Sequence, residues 1–212
     1  MPQESFDIGQ ALETGWNMLG KRPGALLGWG VVTFLVIGAY LGSYAWAAWN
    51  SPDHQAPMYF KAIQFVINIV VTLLYTKVVF LCLDDRPADA GSVFSVFTNS
   101  LSYLVGSFLF TLGAGIGFLL LVVPGIIFSL GFGQFTFAII DKGLGPVESL
   151  KRSWEITKGV RLKLFLFGIV NALVMFAGML CFVVGLIPAS IICSVAMVHV
   201  YRQLEARAGA IA

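Results

Sequence analysis

The chain is expected to fold as an all-α polytopic membrane bundle. Six transmembrane helices would pair as three hairpins, each preceded by a short interfacial amphipathic helix. Three observations predict this. Of 212 residues, 58% are hydrophobic and 11% charged, against about 25% charged in an ordinary soluble domain. The apolar residues gather into six runs, over residues 24–49, 62–83, 103–123, 125–140, 162–184 and 186–203. Most reach the roughly 20 residues that a crossing helix needs. If the runs alternate in direction, Lys21, Arg22, Arg86, Lys142, Lys151, Arg152, Lys158, Arg161, Lys163, Arg202 and Arg207 share one side and only Lys61 falls on the other. The positive-inside rule then places both termini in the cytoplasm.

Residues 1–22 are polar and mixed in charge, with Glu4, Asp7 and Glu13 ahead of Lys21-Arg22. They lack the short apolar core and small-residue cleavage site of a secretory signal, so none is expected. Within them Ile8, Leu12, Gly15, Trp16 and Leu19 fall on one helical face, opposite Gln10, Glu13, Asn17 and Lys21. Asp7 and Gln10 have the spacing of a capping box. The first run follows and carries Gly38 and Gly42, a small-xxx-small pair that lets helices approach closely. A polar loop over residues 50–61, containing Asp53 and His54, joins it to the second run.

The second run holds Gln64, Asn68, Thr72 and Thr76 at successive four-residue steps, a polar stripe along one face. With Gln134 in the fourth run and Asn171 in the fifth, these form a candidate interior polar cluster. Polar side chains in hydrocarbon turn inward, either to line a path through the bundle or to bond one helix to another. A path normally shows an ionisable group at mid-depth, and none is evident there. Lys77 lies near enough to the inner end of the same run to snorkel.

A second amphipathic segment precedes the third run, with Val93, Phe94, Phe97 and Leu101 facing away from Ser92, Ser95, Asn99 and Ser102. The third run is rich in glycine, and Gly113 with Gly117 forms a second small-xxx-small pair. Pro124-Gly125 is expected to turn the chain into the fourth run, and Gly185 to Pro188 to turn the fifth into the sixth, since Pro and Gly stop helices. The fourth run is the short one, with about 16 residues before Asp141. It needs local thinning or snorkelling flanks to cross, and Gly131 and Gly133 loosen it enough to act as a hinge. The third amphipathic segment sets Val147, Leu150 and Trp154 against Glu148, Lys151, Arg152 and Glu155. Pro146 suits a first helical position, and Glu148 with Arg152 can pair at i, i+4. Its basic residues Lys151, Arg152, Lys158, Arg161 and Lys163 are candidate contacts for anionic lipid, or serve only to fix orientation. The three units begin near residues 5, 88 and 145, giving pseudo-repeats of about 5–83, 88–141 and 145–204 in one membrane domain over residues 1–212.

Little reactive chemistry is visible. Cys82, Cys181 and Cys193 are odd in number and irregular in spacing, so neither a disulfide framework nor a zinc site is expected. Only Cys181 and Cys193, flanking one turn, are placed to meet. His54 reads as solvated, and His199 as an interfacial hydrogen-bonding group. Two separate histidines without ligand-spaced partners argue against a metal. No nucleophile–base pair or phosphate-binding loop is recognisable, so no catalytic residue, cofactor or metal site is expected. A net charge of +2 argues against nucleic acid as a partner.

The stretch 119–204 carries Val123-Pro124-Gly125-Ile126-Ile127, then Asp141 with Gly143-Leu144-Gly145-Pro146. Glu148-Ser149-Leu150-Lys151-Arg152-Ser153-Trp154, Thr157-Lys158-Gly159 and Val200-Tyr201-Arg202-Gln203-Leu204 follow. Together with Ala11-Leu12 and Gly15-Trp16 these motifs resemble the bacterial inner-membrane proteins of the YciC type, which are similar to the membrane domain of some glycerophosphoryl diester phosphodiesterases. Ser149 stands where the pattern suggests Ala. The resemblance implies a multi-pass helical fold. It does not carry the phosphodiesterase activity over, because no such catalytic domain is attached. The reading that follows is a non-enzymatic scaffold, assembly or lipid-organising protein. Its partners would be the bilayer, anionic lipids and a membrane-protein partner or second copy. The alternative is a small carrier or channel for a solute or lipid, with a polar path along the second, fourth and fifth helices.

Overall fold

In the computed structural model, residues 6–51 and 57–211 are described; Asp53 and His54 lie outside the described residues. The apolar runs become helices, in the order α1 (Ile8–Lys21), α2 (Pro23–Trp49), α3 (Met58–Leu83), α4 (Ala90–Phe94) and α5 (Ser100–Leu120), the last two joined by a 3-10 segment over Ser95–Asn99. Then come α6 (Val122–Phe132), α7 (Phe135–Lys142), α8 (Pro146–Ile156), α9 (Arg161–Leu180) and α10 (Phe182–Ile211). No strand occurs among the described residues. Six segments are long and apolar enough to cross a membrane: α2, α3, α4 through α5, α6 through α7, α9, and Gly185–Gly209 of α10. Leu35, Phe108 and Phe176 lie exposed on the outer surface. A chain that leaves such side chains outside has lipid for its solvent. This is an integral membrane protein, an all-α polytopic bundle.

The centre of the bundle is α10, which packs against α1, α2, α3, α8 and α9. Its Ile191, Val195, Val198 and Tyr201 are fully buried, as are Leu73, Val78 and Val79 of α3 and Phe167 of α9. Tyr201 meets Phe80 edge-on with ring centres 6.0 Å apart. One end of the bundle is charged. Arg202 pairs with Asp84 and Asp141, the Tyr201 hydroxyl donates to Asp141, and Arg22 pairs with Asp85 while donating to the Arg86 carbonyl.

The turns differ from expectation. Leu121, in extended backbone, separates α5 from α6, so Pro124 sits inside the first turn of α6. Its missing N–H is one that a helix start leaves unbonded anyway. Likewise α9 gives way to α10 at Cys181, and Pro188 lies inside α10. Neighbouring helices support a proline within a membrane helix, so proline marks the reversal less sharply here than in water. The cysteines are free thiols.

The three amphipathic segments form α1, α4 with its 3-10 turn, and α8, each ahead of a hairpin. Asp7 caps α1, accepting from Gln10 N at 2.8 Å. Yet α1 buries Ala11 and Gly15 against α10, where a Cβ on Gly15 would come 2.6 Å from the Ile192 carbonyl oxygen. Trp16 is left 67% exposed. In the second segment the 3-10 turn resets the phase, so Val93 and Val96 go inward while Phe94 and Leu101 stay outside. Asp89 caps α4, and the hydrogen bonds from Ser92 hold its carboxyl below the usual range. In α8 the buried face is Ser149, Ser153 and Ile156, with Val147 and Trp154 exposed. Glu148 turns back to the Gly145 N–H instead of pairing with Arg152.

The serine face of α8 has a partner in the fourth crossing. That segment is long and apolar enough to cross but is broken, with Gly133-Gln134 between α6 and α7. The Gly131 carbonyl, at the break, accepts from Ser153 Oγ at 2.9 Å and Thr157 Oγ1 at 3.0 Å, and Ser153 Oγ accepts from the Gln134 N–H at 3.0 Å. A carbonyl left unbonded in hydrocarbon costs several kcal/mol, so two hydroxyls from α8 make the break tolerable. Replacing both, Ser153→Ala with Thr157→Val, is expected to lower stability by about 1–3 kcal/mol. Urea-dependent unfolding in detergent micelles measures this; an unchanged midpoint would leave the break without its support.

Candidate functional site

Polar groups inside the bundle fall into three places rather than one. Towards the uncharged end, Gln64 and Asn68 line a cavity of about 200 Å³ between α2 and α3. The Tyr40 hydroxyl there donates to the Phe60 carbonyl at 2.8 Å and reaches Gln64 Oε1 at 3.4 Å. Asn68 is exposed and donates to the Gln64 carbonyl of its own helix. Further along α3, Thr76 joins Asn171 on the wall of a second cavity of about 300 Å³, with Tyr75, Cys193 and Ser194. Thr72 lines neither cavity, and no residue lines both. Gln134 belongs to the third place, the α6–α7 break. It is buried there with Oε1 unbonded, beside Ser153 and away from the stripe. The predicted cluster is thus split. Helices α2, α7 and α10 pack against α3, and Gln64 with Asn68 faces α2 while Thr76 faces α7 and α10 across the second cavity.

The basic residues near α8 are mostly engaged. Arg152 donates from Nε and Nη2 to the two oxygens of Glu205 at 2.9 and 2.6 Å, and Lys142 reaches the same carboxylate at 2.6 Å. Those hydrogen bonds raise the Arg152 guanidinium above its ordinary value, against the opposing effect of burial. Arg161 stacks over the Trp154 ring at 3.5 Å, and Trp154 in turn stacks on Phe132. Lys163 lies over Phe6 at 5.2 Å. Lys151 and Lys158 are exposed and make no ion pair among the described residues. His199 contacts Gln203, which reaches Gln10 of α1.

The two glycine pairs separate cleanly. A Cβ on Gly113 would strike the Phe128 ring, and one on Gly117 would come 3.0 Å from the Gly125 backbone, so both serve the α5–α6 hairpin. Gly38 and Gly42 face open space. Tyr75, the Ser153–Gly131 contact and Glu205 as the partner of Arg152 were missed from sequence. Only Glu205 had a signal, a lone acid shortly after Arg202 at the end of an apolar run. Among the described residues no three His, Cys, Asp or Glu side chains converge as metal ligands.

No protein-family model, curated protein or solved structure matches this chain.

Proposed function

We propose that this is a non-enzymatic membrane protein that organises lipid around itself, of the YciC type, with its charged end facing the cytoplasm of a bacterial inner membrane. The observation that carries the proposal is a difference in reach between the hairpins. Apart from α10, whose 30 residues run on past Arg202 and Glu205 at the charged end, helices α2 and α3 have 27 and 26 residues, and α5 and α9 have 21 and 20. At 1.5 Å per residue these are about 40 Å and about 30 Å. The long hairpin ends in Trp46, Trp49 and Tyr59, an aromatic collar of the kind found at headgroup level, followed by a polar loop. The two short hairpins end in apolar residues. Leu119, Leu121 and Val123 are 88%, 70% and 65% exposed around one turn, and Met179 and Leu180 are exposed at the other. Backbone N–H groups at both turns bond internally, Leu121 to Gly117 and Cys181 to Ala177, as hydrocarbon demands.

Tips of this kind remain in hydrocarbon, so the far leaflet dips to meet them while the first hairpin holds full thickness. Thinning of this sort costs only fractions of a kcal/mol per Å, enough to sort lipids by chain length. The division of the polar stripe between two cavities that share no residue supports this reading over a solute path. Tryptophan quenching by brominated phosphatidylcholines of different chain length tests it. A several-fold preference for 14-carbon over 20-carbon chains is expected. Equal affinity, or solute flux in sealed vesicles, would contradict it.

A further inference from the structure

The cavity between α3, α7, α9 and α10 has a composition that a mere packing defect lacks. Its volume is about 300 Å³, where about 150 Å³ suffices for benzene. Val79, Phe137, Met197 and Val198 give it an apolar wall. Set into that wall are Asn171, Tyr75, Thr76 and Ser194, and no charged residue lines it. Asn171 is only 9% exposed and its Oδ1 has no hydrogen-bond partner. Its backbone carbonyl is already occupied by the Cys193 thiol. The Tyr75 hydroxyl is buried too, close to Ser194 but in no hydrogen bond of good geometry, and the Ser194 hydroxyl donates to the Ser190 carbonyl. A buried amide oxygen in hydrocarbon does not stay unpaired when a donor can reach it.

We infer that this cavity binds a neutral, hydroxyl-bearing hydrophobe, whose O–H donates to Asn171 Oδ1 while its apolar body lies against Phe137 and Met197. Neutrality follows from the uncharged wall, and the hydroxyl from the acceptor left open. Two sources present this chemistry: a free long-chain alcohol, and the free hydroxyl of a diglyceride drawn from the bilayer. The inference is independent of the lipid-thinning proposal, which concerns the hairpin tips.

The test uses the full chain in nanodiscs with a diazirine-tagged hexadecanol, a diglyceride bearing the same tag, and the methyl ether of the tagged alcohol. The alcohol or the diglyceride is expected to label residues 72–79 and 190–198 saturably, and whichever does so identifies the source. The methyl ether, lacking the donor, is expected to label at least tenfold less. Asn171→Leu is expected to abolish the labelling without lowering the melting temperature of the ligand-free protein, because Leu removes the unpaired oxygen and fills space. Should that variant misfold, Tyr75→Phe with Ser194→Ala is expected to weaken labelling several-fold. Equal labelling by ether and alcohol would overturn the inference, as would labelling that is spread over the lipid-facing surface or insensitive to both variants.

Discussion

Glu205→Gln is expected to lower the melting temperature of the detergent-solubilised protein by about 4–8 °C. Glu205 is the shared acceptor of Arg152 and Lys142, with its side chain 10% exposed. Removing one partner of a buried ion pair costs about 3–5 kcal/mol, because the other charge is left unpaired in a poor solvent. Here Lys142 is 40% exposed and Arg152 25%, so water takes back part of that loss and about 2 kcal/mol remains. For a chain of about 200 residues each kcal/mol moves the midpoint by about 2–4 °C. The contact joins α10 to α8 and to the end of α7, so loosened tryptic sites around Lys151 and Lys158 are expected alongside the shift. The double variant Glu205→Gln with Arg152→Gln is expected to melt above the sum of the singles, since no guanidinium is left with only the exposed Glu155 as its partner. Strict additivity in differential scanning fluorimetry would mean that the pair is uncoupled.

Gly117→Leu and Gly42→Leu are expected to behave oppositely, although both belong to small-xxx-small pairs. At Gly117 the obstacle is the Gly125 backbone, which cannot rotate away, so the two helices must part. Overpacking typically costs about 1–3 kcal/mol, and a backbone obstacle falls at or beyond the upper end. Monodisperse yield is expected to collapse. At Gly42 nothing lies within 4 Å, and replacing Gly in a helix removes a penalty of about 1 kcal/mol. That variant is expected to melt at or above the parent. Size-exclusion profiles of the two side by side decide it; a collapse at Gly42 with tolerance at Gly117 would reverse the packing assigned here.

These contrasts show where sequence was informative. The six crossings were legible because apolar length alone specifies a membrane helix, and Asp7 and Pro146 marked their helix starts because capping is local chemistry. The turns were not, since Pro124 and Pro188 read as stops by rules learnt in water. The inward face of α8 was not legible for a different reason. Ser149, Ser153 and Thr157 carry no apolar signal, and Ser153 and Thr157 are held inward by the carbonyl released at Gly131. The polar stripe was visible as a pattern. Its division depended on which neighbour each turn of α3 meets, a property of helix crossing that spacing does not encode. Arg152 read as a partner of Glu148 and a candidate lipid contact, whereas the carboxylate it grips, Glu205, lies 53 residues on.

Labelling of single cysteines with a membrane-impermeant maleimide tests the account most directly. In one chain Cys181 is retained with Cys82→Ala and Cys193→Ala; in another all three are removed and Ser51→Cys is added. Position 51, beside the aromatic collar, is expected to react within minutes from one side of sealed membranes. Cys181, at the tip of a short hairpin, is expected to stay unlabelled from either side until detergent is added. Labelling of Cys181 as fast as position 51 would place that turn in water and contradict the claim that it ends inside the bilayer.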